Sequence, residues 1–317
     1  MFSYRNKATA CGMWSVTYII ALAVTIACVA LALYFSKNIS RRGVKRVLIG
    51  SSIFTISTEI IKMIFVGVTY GIDEVEFIPL YFCSLFMYST VLAVLKNDTL
   101  RNTGLAFLFF GGIIGASAFF AYPSACIPNY PIYHFMCLRT MIFHGLMIYV
   151  GITVVRSGYY KPDIRHFKNY AVALSAVGIG AYIHNKLLGT NLMYISKPLG
   201  LEISKWAYEL SPEIYPLIFM ILQIAVPFFV SYGIFSLIMI IECRKGVKAF
   251  SRLINQPNKK PQVAFCIYII ATEIDKSTSR NLFANLAFAV EIWEISTFDC
   301  RYKACDTKTS KKNNTVN

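Results

Sequence analysis

The sequence predicts an all-α fold: a polytopic membrane helical bundle of about seven transmembrane helices, with the N-terminus outside and the C-terminus cytoplasmic. Three observations predict it. The chain is 56% hydrophobic and only 15% charged, more apolar than a soluble domain of 317 residues. Apolar windows recur close to the length that a hydrocarbon slab of roughly 30 Å requires, about 20 helical residues. Basic residues also gather in alternate loops, the pattern left by retention of positive charge on the cytoplasmic side.

The windows fall at 12–35, 47–70, 79–95, 105–121, 137–155, 170–188 and 214–241. The first runs past the length of a signal-peptide core and has no small-residue cleavage site, so it is read as a span. The third and fourth are the shortest and lean on neighbouring spans. Lys37, Arg41, Arg42, Lys45 and Arg46 mark the first loop, Lys96 and Arg101 the third, and Arg156, Lys161, Arg165 and Lys168 the fifth. The second loop holds Asp73, Glu74 and Glu76 instead, and loop 122–136 holds neither Lys nor Arg. Most of the +15 net charge follows from this topology, with anionic lipid headgroups as the expected partners of the cytoplasmic loops. No groove-reading or single-strand motif is present, so nucleic acid is not expected as a partner. The expected location is a cell membrane, either a bacterial cytoplasmic membrane or a eukaryotic endomembrane or plasma membrane.

Residues 1–241 read as one bundle with no internal repeat and short connections, except that between the last two spans. Beyond Cys243 the character changes, and 242–317 reads as a basic cytoplasmic tail, amphipathic at NLFANLAFAVEIWEI and disordered over 306–317. Nine cysteines lie scattered without a C-x-x-C pair or a histidine at ligand spacing. Neither a zinc site nor a disulfide framework is expected, and no metal or cofactor is assigned.

Ionisable groups inside a bilayer cost several kcal/mol unless paired, so the few present direct attention to chemistry. Glu59 and Lys62 stand at i, i+3 on one helical face, either a self-neutralising pair or a cation or proton site. Cys83 follows Pro79 by about one turn at the head of the third span. His144 sits in HFMCLRTMIFHGLMIY of the fifth span with Gly145 beside it, and His134 lies nearer the surface. Arg139, between the two histidines, has no partner evident in the sequence, and its donors suit a lipid phosphate. The sixth span ends in HNKLLGTNLMYISKP, where Gly189 and Asn191 make a helix stop but leave His184 and Asn185 unexplained.

Cys83, His144 and His184 share the outer half of the bundle. A buried thiol needs an adjacent base to become a thiolate, and histidine supplies one, with Asn185 as a candidate orienter. Asn191 is a second candidate border of the same cavity. A catalyst without a water-soluble domain draws its substrate from the membrane, which suits lipid acyl transfer.

PLYFCS in the third span, FHGL in the fifth and NKLLGTNLMYISKP after the sixth together resemble the YwaF-like integral membrane proteins, which include transmembrane protein 164 of animals. The last motif is the most specific, matching at Asn185, Gly189, Thr190, Asn191, Met193, Tyr194, Lys197 and Pro198 over a resemblance that covers roughly residues 40–241. Tyr81 stands where many bacterial relatives have histidine, and Leu192 replaces the usual aromatic residue. The resemblance implies a cysteine-dependent acyltransferase that moves an acyl chain between phospholipids, with Cys83 as nucleophile and His144 as base. It also implies a fold like that of the androgen-induced threonine hydrolases of lipid esters.

Two other readings stand beside it. Glu59, Lys62, Arg139 and His144 could line the path of a transporter or channel for a small solute or ion, although paired repeats are missing. A seven-helix receptor shares the topology, and Cys83 with Cys126 could mimic its disulfide. The Asp-Arg-Tyr, Cys-Trp-x-Pro and Asn-Pro-x-x-Tyr signatures of that class are missing from the third, sixth and seventh spans.

The topology is tested by labelling. A cysteine placed in loop 156–169 is expected to resist an impermeant thiol reagent in intact cells and to react after permeabilisation. Modification in intact cells contradicts the orientation.

Overall fold

The structure, a computed structural model, describes residues 9–72, 77–124, 126–198, 200 and 202–254. The expected basic tail, 242–317, falls outside the described residues from 255 onward. The chain divides after Tyr232, and every candidate site residue lies in the unit before that point.

Capping residues set the helix starts. Ser15 Oγ accepts the Tyr18 N–H to open α1 (Val16–Phe35), and Ser40 Oγ accepts the Gly43 N–H to open α2 (Arg41–Tyr70). A short α3 (Leu85–Leu92) precedes α4 (Asp98–Ala106), which Asn97 caps. A π-helical turn at Phe107–Gly111 joins α4 to α5 (Gly112–Ala121). Next come α6 (Phe135–Arg156), started by the His134 imidazole, and α7 (His166–Leu188), which ends on left-handed Gly189 at φ 69°. A 3₁₀ turn at Leu192–Tyr194 leads to α8 (Glu202–Leu210) and α9 (Tyr215–Ile254).

Among the described residues six helices, rather than seven, are long and apolar enough to cross a membrane: Val16–Phe35, Arg41–Tyr70, Asp98–Ala121, Phe135–Arg156, His166–Leu188 and Tyr215–Ile241. The 79–95 window is the exception. Its regular helix is only eight residues long, because Pro79 opens the segment without an N–H donor and the chain enters through turns over 82–84. The chain nevertheless changes ends across this segment. Tyr70 Oη lies 3.0 Å from Tyr130 Oη, which puts the end of α2 beside loop 122–136. Asp98–Ala121 then runs back to that loop over about 36 Å, so residue 98 starts at the opposite end. Arg41 reaches the Gly158 carbonyl at 3.2 Å and Arg156 the Leu33 carbonyl at 3.0 Å, gathering the first and fifth loops at that opposite end. It is the end rich in basic residues.

Asp98–Ala121 is the central span, with 72% of its apolar window buried against 6% for α1. Large apolar side chains of α1 such as Ile20, Val24 and Leu31 are exposed, a surface suited to lipid rather than water. The π turn fits this central position. Its Phe110 carbonyl accepts the Ser231 hydroxyl of α9 at 3.2 Å, and the Phe110 ring packs against Phe228 with centroids 4.1 Å apart. On α6, a Cβ at Gly151 would stand 2.6 Å from the Leu108 carbonyl oxygen, so only glycine lets α6 approach the turn this closely.

Gly151→Val is expected to destabilise the bundle by about 1–3 kcal/mol through overpacking. Gly180→Ala, where an added Cβ meets nothing within 4 Å, is expected to stabilise α7 by about 0.5–1 kcal/mol. Thermal unfolding in detergent compares the two, and equal effects contradict the proposed packing of α6.

Candidate functional site

Cys83 and His144 both lie against the Gly115–Phe119 face of α5. The turn before α3 sets Cys83 Sγ 3.9 Å from the Gly115 carbonyl oxygen. A side chain at Gly115 would press into the Phe82 ring at 3.0 Å and stand 3.7 Å from that sulfur. One turn further, at i+4, Phe119 stacks on the His144 imidazole at 3.9 Å and 14°. Phe86, three residues after Cys83, meets Phe143 edge-on at 5.6 Å, so α3 and α6 also touch directly. The thiol and the imidazole thus lie against successive turns of α5. They are not hydrogen-bonded to each other: the sulfur faces the Gly115 carbonyl, and the imidazole bonds within its own helix.

That bond fixes the imidazole. His144 Nδ1 lies 2.8 Å from the Thr140 carbonyl oxygen, which can only accept, so Nδ1 carries the proton and Nε2 holds the lone pair. The ring is buried against Phe119, Phe120 and Phe143. Gly145 faces Thr25 and Val29 of α1, whose methyl groups would stand 3.0 and 3.4 Å from an added Cβ. His134, nearer the end of the span than His144, caps α6 and stacks on Tyr130, with its side chain completely buried within the protein.

The polar end of α7 is spent on the loop after it. Asn185 Oδ1 accepts from the Leu192 N–H at 2.7 Å and the Thr190 hydroxyl at 2.8 Å. Its Nδ2 donates to the Leu192 carbonyl and to Ser196 Oγ. Because the Thr190 hydroxyl is given to Asn185, its oxygen accepts from His184 Nδ1 at 2.9 Å. Asn191 receives the Ser196 and Lys197 N–H groups and donates to the Lys197 carbonyl. The two amides therefore shape the loop. Met193 and Tyr194 take left-handed backbone angles, both at φ 54°. Gln223 of α9 donates to the Met193 carbonyl at 2.6 Å and Tyr215 to that of Tyr194 at 3.4 Å. The Tyr194 ring packs against Tyr81, two residues before Cys83, at 5.8 Å.

The TMEM164 family model matches residues 10–232, about 70% of the chain. The chain belongs to the TMEM164 family. It is a multi-pass integral membrane protein. The match starts at residue 10 rather than near 40, so α1 is part of the family architecture. No curated protein and no solved structure matches the chain.

The remaining intramembrane charges of this TMEM164 family member form one cluster. Lys62 Nζ lies 2.6 Å from Glu59 Oε1, the i, i+3 pair expected from the sequence. Arg139 of α6 pairs with the other carboxylate oxygen, supplying the partner that sequence reading could not find. The guanidinium also lies over the Phe143 ring, 5.6 Å from its centroid. Glu59 is buried and the two cations are largely so, and Arg139 Nε has no hydrogen-bond partner. Among the described residues no group of three His, Cys, Asp or Glu side chains could hold a metal.

Thr140, Gly115, Phe119 and Gln223 were not singled out by sequence reasoning. Gln223 carried a usable signal, an amide inside an apolar helix. Thr140 carried none, since its main chain does the work.

The cluster makes an ordered prediction. Glu59→Leu removes the carboxylate that Lys62 and Arg139 share and is expected to cost about 3–5 kcal/mol. Arg139→Leu keeps the Glu59–Lys62 pair and is expected to cost less, about 1.5–3 kcal/mol. Unfolding midpoints in detergent rank them, and the reverse order contradicts the shared carboxylate.

Proposed function

We propose that the protein is a membrane-embedded acyltransferase that moves acyl chains between phospholipids through a thioester on Cys83, with His144 as the base. The observation that carries this reading is the His144 tautomer. With Nδ1–H tied to the Thr140 carbonyl, Nε2 is the nitrogen that can accept a proton, and it belongs to a ring held one turn of α5 from the thiol.

In this mechanism the thiol leaves the Gly115 carbonyl and gives its proton to Nε2. The thiolate attacks the ester carbonyl of a phospholipid, and collapse of the tetrahedral intermediate breaks the acyl C–O bond. The imidazolium returns the proton to the departing alkoxide, which leaves as a lysophospholipid hydroxyl. A second lysolipid hydroxyl then loses its proton to Nε2 and attacks the thioester, and the regenerated Cys83 thiolate takes that proton back. The buried aromatic walls exclude water, which favours transfer over hydrolysis. Arg139, through its unpartnered Nε, is proposed to attract the lipid phosphate, and the basic loops to hold anionic headgroups. His184, Asn185 and Asn191 are proposed to act at a distance, by setting the loop that packs Tyr194 onto Tyr81. A transporter reading draws on the buried Glu59–Lys62–Arg139 cluster, where three ionisable side chains meet between α2 and α6.

Purified protein in nanodiscs containing phosphatidylcholine is expected to gain one acyl chain, released by hydroxylamine. The adduct is expected to vanish in Cys83→Ala, and its rate to fall about 10²–10⁴-fold in His144→Gln. Equal acylation of Cys83→Ala and the parent protein would falsify the proposal and favour transport.

A further inference from the structure

Three cysteines outside the proposed site converge on one residue, Tyr130. The Tyr130 N–H donates to the Cys126 carbonyl at 3.1 Å, and the Tyr130 carbonyl accepts the Cys11 N–H at 3.0 Å. The same carbonyl lies 3.7 Å from Cys137 Sγ. Cys126 and Cys137 are both buried in a single apolar cluster with Tyr18, Phe119 and Tyr130, against which the partly exposed Cys11 packs. Cys126 and Cys137 are free thiols and neighbours in that cluster. Cys83 stands apart, on the Gly115 carbonyl.

From this juxtaposition we infer that Cys126 and Cys137 form a disulfide in the mature protein, with Cys11 as the thiol through which it is made and exchanged. The inference rests on the orientation read from the loop charges, which turns loop 122–136 away from the reducing cytoplasm. Neighbouring thiols reach the S–S bond length of about 2.05 Å by side-chain rotation when their Cα atoms stand within about 7 Å. The bond closes a short loop whose middle is already fastened, since Tyr70 meets the Tyr130 hydroxyl at 3.0 Å and His134 stacks on the Tyr130 ring at 4.2 Å.

The oxidant is a protein or glutathione disulfide of the outer compartment. The Cys11 thiolate attacks it, forming a mixed disulfide and releasing one thiol. Cys137 then attacks the Cys11 sulfur and releases the second thiol. Finally Cys126 attacks the Cys137 sulfur, and Cys11 leaves as a free thiolate. Two electrons pass to the external disulfide and two protons to its leaving thiols.

The test traps full-length protein in native membranes with acidic N-ethylmaleimide and maps its peptides without reduction. A Cys126–Cys137 crosslinked pair is expected, lost on reduction, with Cys11 and Cys83 recovered alkylated. Full alkylation of both Cys126 and Cys137 overturns the inference, as does a linkage to Cys83. An impermeant reagent on Glu209→Cys, an exposed site beyond α7, separates the two causes of failure. If it labels intact cells and Cys126 and Cys137 are alkylated, the disulfide is wrong while the orientation stands. If it labels only after permeabilisation, the orientation is wrong and takes the disulfide with it. A second readout is the unfolding midpoint, which reduction is expected to lower in the parent protein and leave unchanged in Cys126→Ser/Cys137→Ser.

Discussion

Glu59 gives one carboxylate oxygen to Lys62 on its own helix and the other to Arg139 on α6, far from either end of α2. The three side chains are largely shielded, so each charge constrains the others. The pairing sets how α6 meets α2, and the residues just after Arg139 inherit that setting. Thr140 presents its carbonyl to His144, Phe143 meets Phe86 of α3, and the imidazole lies flat on Phe119. A shift of α6 by one residue would separate Arg139 from Glu59 and lift His144 from its aromatic seat together.

The second constraint is the loop after α7. A chain leaving a helix inside an apolar bundle carries peptide groups that lipid cannot satisfy. Asn185 and Asn191 answer this by acting as substitutes for the missing backbone, bonding donors and acceptors of residues 192–197 at once. A conspicuous polar motif at a membrane helix end thus has a structural explanation in these two residues, and its connection to Cys83 runs through the ring of Tyr194.

The helices were legible in the sequence because their signals are local. Apolar runs, Ser and Asn caps and the Gly189 stop sit within a few residues of what they control. The third window misled because hydropathy measures apolarity and not helix continuity, so PLYFCS scored as span while folding largely as turns. The Glu59–Lys62 pair was visible through its i, i+3 spacing. Arg139 was not assigned to it, since 80 residues separate Arg139 from Glu59 and no periodicity links them. The role of His144 Nδ1 was equally hidden, because its partner is a main-chain carbonyl that every residue possesses. Cysteine spacing gave no warning of the cluster at Tyr130, whose members come from the start of α1, a loop and α6.

Met193 and Tyr194 bend the chain with left-handed angles that glycine would adopt at little cost and that side-chain-bearing residues resist by about 1–2 kcal/mol each. The resistance is overcome from outside the bend, by Asn185 seven residues before Leu192 and by Gln223 thirty residues after Met193. Substitutions at these distant positions are therefore not independent of the bend. A variant that loses the Gln223 amide inherits an unsupported turn, and glycine at 193 would relieve the backbone while forfeiting a side chain that is 1% exposed. Mutational paths through this part of the chain are narrow, since single steps at either end are penalised by the state of the other.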